Sequence, residues 1–153
     1  MLAMPNRNEN WFRRPACWWL GRRVAKALAL NTRGEVRTDG LVLERFQNRL
    51  QIEWRARQVH PWEKGLAGSR EAELFARQCL EDTSAAIDRL FEKIPEIESI
   101  DFTVLDPESS AAIVRGAVSR TEAKIVQSPS PGMRVRNLGA RYRLSNWRFE
   151  PLS

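Results

Sequence analysis

Residues 70–105 read REAELFARQCLEDTSAAIDRLFEKIPEIESIDFTVL, and along them the apolar spacing switches from that of a helix to that of a strand. Leu74, Phe75, Cys79, Ala86, Ile87, Leu90, Phe91 and Ile94 recur at threes and fours, which predicts one long helix over residues 70–94. Ser69 stands where an N-cap belongs, and Glu71 and Glu73 lie in the first turn, where the helix dipole favours negative charge. Pro95 stops the helix, since its ring blocks the helical hydrogen bond. Beyond it Ser99 to Leu105 alternates, sending Ile100, Phe102 and Val104 to one side. Asp106-Pro107-Glu108-Ser109 is a turn, and Ala112 to Arg120 is expected to return as an antiparallel strand.

Upstream, residues 49–57 (RLQIEWRAR) form the clearest strand in the chain. Leu50, Ile52, Trp54 and Ala56 face one way, and Arg49, Gln51, Glu53, Arg55 and Arg57 the other. Leu41 to Phe46 precedes it across Gln47-Asn48, so the two are expected to pair as a hairpin. Further back, Cys17 to Leu30 (CWWLGRRVAKALAL) reads as a helix, with Trp18, Gly21, Ala25 and Leu28 on one stripe, Val24 beside them, and Arg22 and Lys26 opposite. Residues 1–16 are polar and proline-broken, which fits a lead that is flexible or ordered by a partner. Asn31 to Gly34 and Asp39-Gly40 are turn signals.

Downstream, Ser128 to Gly132 is a break, and Met133–Arg136 and Ala140–Phe149 read as strands, the last folding over at Ser145-Asn146. Trp54, Trp62 and Trp147 are expected in the core or at its edge. The fold expected is therefore α+β, a mostly antiparallel sheet of about five to six strands packed on one long helix. A Trp/Arg-rich helical arm, residues 1–34, precedes a single domain over residues 35–153.

A chain of 153 residues is long enough to bury about 70% of its unfolded surface without staples. Its 42% hydrophobic and 29% charged content excludes wholesale disorder. Cys17 and Cys79 are the only cysteines, too few for a disulfide framework, and this fits a reducing compartment. No uninterrupted apolar run reaches the ~18 residues a membrane span needs. Arg22, Arg23 and Lys26 break the N-terminal apolar stretch, so it does not read as a secretory signal. These features point to a soluble, cytoplasmic protein.

Charge is sorted into blocks. Residues 1–58 hold twelve Lys/Arg against five Asp/Glu, residues 59–110 five against twelve, and residues 111–153 eight against two. All but four of the basic residues are arginine, the side chain whose planar fork matches phosphate and carboxylate. Such a layout points to a polyanionic partner on the basic side.

Catalytic chemistry has little support. His60 is the only histidine, there is no Gly-x-Ser-x-Gly elbow, and Cys17, Cys79 and His60 are too scattered for zinc. Phosphate-cradling glycine loops are missing. Metal-dependent nucleases place an Asp at a strand end before a Glu-x-Lys triplet, and Asp101 or Asp106 followed by Glu122-Ala123-Lys124 fits loosely, with Glu71 or Glu73 as a further carboxylate. Solvated charges around loops are the preferred reading of these residues, and neither cofactor nor metal is expected.

Binding has more. Trp11, Trp18 and Trp19 interleave with Arg13, Arg14, Arg22 and Arg23, a composition suited to stacking on bases and contacting phosphates. Arg49, Arg55 and Arg57 on one strand face, with Arg134, Arg136, Arg141, Arg143 and Arg148, would build a continuous basic sheet surface. The expectation is a non-enzymatic accessory subunit of a nucleoprotein assembly, touching nucleic acid or an acidic protein surface. A protein-interaction module (scaffold, inhibitor or immunity-type) anchored by the arm is the alternative. A nuclease using Asp106, Glu122 and Lys124 comes third.

Overall fold

The structure, a computed structural model, describes residues 15–29, 42–65 and 69–152, with the side chains of residues 15–18, 29 and 42 left aside. The proposed contacts of Trp11, Arg13, Arg14 and Trp18, and the turns at 31–34 and 39–40, lie outside what is described.

The chain runs α1 (Pro15–Ala29), β1 (Val42–Phe46), β2 (Arg49–Arg55), a 3-10 turn at Pro61–Glu63, α2 (Arg70–Lys93), β3 (Ser99–Leu105), β4 (Ala112–Ser119), α3 (Arg120–Ile125), α4 (Pro131–Asn137), β5 (Leu144–Ser145) and β6 (Arg148–Phe149). The architecture is α+β: a four-stranded sheet in the order β1-β2-β3-β4, and a separate two-stranded hairpin, β5-β6.

β1 and β2 pair antiparallel about Gln47-Asn48, and β3 and β4 pair antiparallel about the Asp106 turn. β2 and β3 run parallel, so the four-stranded sheet is mixed, with two of its three pairings antiparallel as expected and the central one not. The reason lies in the connection. A strand, a long helix running back and a second strand return the chain to the end where the first strand began. Alternation along a strand says which side faces the core but carries no strand direction.

Leu50, Ile52 and Trp54 of β2 and Ile100, Phe102 and Val104 of β3 are buried on one sheet face, with Trp54 and Phe102 stacked at 6.1 Å. They meet Cys79, Leu80, Ala86, Ile87, Leu90 and Phe91 of α2 in one core. Thr83 and Ser84 are buried as well, because α1 and α4 also pack on α2 and cover more of its circumference than one stripe. The opposite sheet face carries half-buried and exposed side chains.

Several expectations need correction. Met133–Arg136 is helical, not extended: Ser130 Oγ accepts from Met133 N at 3.2 Å, and Pro131 sits in the first turn. Residues 120–125 form another short helix, closed by a capping box between Ser119 and Glu122. Ser69, in contrast, makes no side-chain cap. The final hairpin turns about Asn146 and Trp147, both at positive φ (49° and 65°), one residue later than expected. Trp54 is buried, but Trp62 is 75% exposed and Trp147 is exposed too. In α1 the expected Gly21 and Val24 are buried and Leu28 packs on the core, but the stripe also takes in Leu20 and Ala27.

No helix among the described residues is long and apolar enough to cross a membrane.

Candidate polyanion-binding cleft

The charge blocks largely meet each other. Five ion pairs join acids of the middle block to arginines of the flanking blocks: Arg23–Glu96, Arg49–Asp101, Arg57–Asp82, Arg120–Glu98 and Arg134–Asp88. Arg134, expected on a basic surface, is instead only 8% exposed. Its guanidinium donates to Asp88 Oδ1 and Oδ2 at 2.7 and 3.0 Å, to Ser84 Oγ at 2.7 Å, and to the carbonyls of Ala123 and Val126 at 3.0 and 3.2 Å. It ties α4 and the α3 segment to α2. Arg120 caps α2, donating to the carbonyls of Phe91 and Ile94 at 2.8 and 3.0 Å and to Ile97 O at 2.6 Å. Arg57 holds Asp82 at 2.6 Å, and Arg55 donates to Pro107 O at 3.2 Å. Burial pushes the Asp82 carboxyl up from its ordinary value, and Arg57 pulls against that. Arg23 forks onto Glu96 and holds its carboxyl down to about 2.

Set these aside and a cluster remains. Arg136, Arg141 and Arg143, all expected binders, are joined by Arg115 around one cleft of about 450 Å³, closed by Ala140, Tyr142, Pro151 and Leu152. No acidic side chain lines it, and none of the four arginines makes an ion pair with a described residue.

Local rules build this site. α4 ends in a Schellman turn: Gly139, at φ 89°, donates to Arg136 O at 2.9 Å and Ala140 donates to Val135 O at 3.1 Å. The turn throws the chain back against the free edge of β4. There Arg141 N donates to Arg115 O at 2.7 Å and Arg115 N donates to Arg141 O at 3.0 Å. Close approach requires Gly116: a Cβ there would lie 2.9 Å from Ala140 Cα and 2.9 Å from Phe102 Cζ. Arg136 then lies 4.3 Å over the Tyr142 ring, whose hydroxyl donates to Gly132 O at 3.1 Å. Leu152 N donates to Ala112 O at 2.8 Å and closes the end of the cleft.

Residues directly opposite in an exchanged pair share a sheet face, with Cβ atoms about 5 Å apart, and like charges there are destabilising. Arg115 pairs in register with Thr103 on the side away from Phe102 and Val104, so both guanidiniums rise from the open face. Arg115 is the residue that composition misses. Its signal is Val114-Arg115-Gly116-Ala117-Val118, where the inward valines place Arg115 outward.

The other expected binders do not join this cleft. Trp19 and Arg22 are exposed on α1, Arg49 is engaged by Asp101, and neither they nor Arg55 and Arg57 line it. The nuclease candidates are not assembled either. Asp106 Oδ1 accepts from Glu108 N and Ser109 N at 2.9 and 3.0 Å, an ordinary turn. Glu122 is engaged in its capping box. The two carboxylates leave opposite ends of β3 and β4, about 20 Å apart along a seven-residue strand. Among the described residues, no three His, Cys, Asp or Glu side chains group to hold a metal. His60 lies against Trp62 at 3.2 Å between ring centroids. Burial pushes the Cys79 thiol up to about 12, so it stays protonated.

Scanned against protein-family models, curated proteins and solved structures, the chain gives no match.

Proposed function

We propose that this chain is a non-enzymatic nucleic-acid-binding protein, an accessory subunit of a nucleoprotein assembly, and that it grips the phosphate backbone in the Arg115–Arg136–Arg141–Arg143 cleft. One observation carries the reading: four arginines without an ion pair converge on one cavity that no acidic side chain lines. Arginine forks donate bidentately to phosphate, and the Arg115–Arg141 pair places two of them side by side. No Asn, Gln, Asp or Glu lines the cleft to read adenine or cytosine, which supports binding carried mainly by phosphate contacts. Fluorescence anisotropy with a labelled single-stranded oligonucleotide, at several salt concentrations, tests it. On a single strand, four phosphate contacts give a slope of log K against log salt of about −3. A flat salt dependence, or no binding at low salt, overturns the reading.

A second reading, a protein-interaction module, draws on a different observation. Trp62, Trp19 and Phe46 are large apolar side chains at 75%, 61% and 56% exposure. Exposed aromatics of this kind serve as anchors in protein interfaces. Binding to such a partner would survive salt that strips nucleic acid.

A further inference from the structure

A second cavity, of about 350 Å³, opens beyond the carboxyl ends of the parallel pair β2 and β3, beside the first turn of α2. In parallel sheets that position is where ligands bind, because loops diverge there and leave a crevice. Its volume is at the low end of the ~300–1,000 Å³ typical of small-molecule clefts.

The lining is charged in both senses. Lys64 and Arg148 face into it with Glu71, Asp106 and Glu108. None of the five makes an ion pair with any described residue. Instead, three are held in place by neutral neighbours. Lys64 Nζ donates to Gln58 Oε1 at 2.8 Å, Glu71 Oε2 accepts from Gly65 N at 3.1 Å, and Asp106 Oδ1 accepts turn amides. Opposite charges that share a cavity and stay apart leave complementary positions for both ends of a dipolar guest.

The rest of the lining is largely apolar. Phe75 and Phe149 meet edge to face at 6.0 Å and line the cavity with Val59 and Ala72. Trp147 completes it from the hairpin tip at φ 65°, a backbone region costly for a bulky residue and frequent at ligand sites.

We propose that this cavity binds a free α-amino acid with a large apolar side chain. The ammonium group lies toward Asp106 and Glu108, the carboxylate toward Lys64 and Arg148, and the side chain against Phe75, Phe149 and Trp147. The site shares no lining residue with the arginine cleft, so the proposal stands or falls independently of the polyanion reading.

The test is calorimetric titration and thermal shift of the full chain with L-phenylalanine and L-leucine. The single-charge analogues L-phenylalaninamide and 3-phenylpropionate are run beside them. Saturable binding of an amino acid is expected, with both analogues weaker by at least about tenfold, the cost of one lost charge-assisted contact. Ala72→Trp fills the cavity from α2 and should abolish binding. Arg148→Gln, on the exposed hairpin, should weaken the amino acid and 3-phenylpropionate but not the amide, and it guards against a misfolded Ala72→Trp. Absence of binding by both amino acids at millimolar concentration overturns the proposal, and so does equal binding of the analogues.

Discussion

Arg115 and Arg141 stand directly opposite each other across the outer edge of the sheet, exchanging both backbone hydrogen bonds, at 3.0 and 2.7 Å. Two guanidiniums in register repel, and no described carboxylate comes between them. If the proposed cleft holds a phosphate, that phosphate would relieve the repulsion, and a pair that costs stability in the free protein would return it as affinity.

Replacing one member therefore separates stability from binding. Arg115→Thr should leave unfolding free energy unchanged or raise it, by up to about 1 kcal/mol, because the like-charge pair is gone. The same change should weaken oligonucleotide binding and make the salt slope shallower by about one. Urea melts and anisotropy titrations read the two effects. A destabilised variant with undiminished affinity would show that the pair is structural.

Arg134 gives the opposite result. Removing it leaves the buried Ser84 hydroxyl and the carbonyls of Ser84, Ala123 and Val126 without their donor, while the exposed Asp88 carboxylate returns to water. Arg134→Ala should cost about 2 kcal/mol in urea unfolding, through the buried acceptors left without a donor. A loss under about 1 kcal/mol would contradict the staple described for this residue.

Gly116 gates the cleft. In Gly116→Ala the new methyl meets Ala140 and Phe102, so the residues around Arg141 must shift outward or the core must strain. A cost of about 1–3 kcal/mol is expected, together with weaker oligonucleotide binding. Unchanged thermal stability would mean that the close approach is not tight.

Acid should loosen the tie between α1 and the end of α2. Glu96 is held from its ordinary 4.5 down to about 2 by Arg23. A lowered carboxyl contributes stability above pH 4.5 that is lost as pH falls through its folded value. Glu96→Gln should be slightly less stable at pH 7, by no more than about 1 kcal/mol since the pair is solvent-screened. That difference should shrink below pH 4.5 and vanish near pH 2. Asp82 works in the other sense. Its raised carboxyl favours the folded state at low pH, and this contribution is lost as pH rises through the folded value. Acid melts of Glu96→Gln and Asp82→Asn, compared from pH 7 downward, check the signs.

Glu122 and Lys124 distinguish structural from catalytic use of the Glu-x-Lys triplet. Glu122→Ala should cost about 1 kcal/mol through the lost capping box, and Lys124→Ala almost nothing. Magnesium-dependent cleavage that is present in the wild type and absent from both variants would revive the nuclease reading.

Much of this was legible in the chain itself. Local period determined that residues 70–93 are helical and that residues 49–55 and 99–105 are strands, because side-chain burial repeats with backbone geometry. Turn chemistry at Gln47-Asn48 and after Leu105 placed two hairpins. The short helices at 120–125 and 131–137 escaped period analysis, since six or seven residues show too few repeats; their caps at Ser119 and Ser130 carried the signal.

Tertiary structure alone decided the rest. Strand direction, the parallel β2–β3 pair and the burial of α2 by two more helices depend on long-range packing. So does the sorting of the arginines. By composition Arg134 and Arg141 are equivalent, yet one is buried on Asp88 and the other faces Arg115. An arginine's role is set by which carboxylate the fold brings within reach, and that distance is not written in its neighbours along the chain.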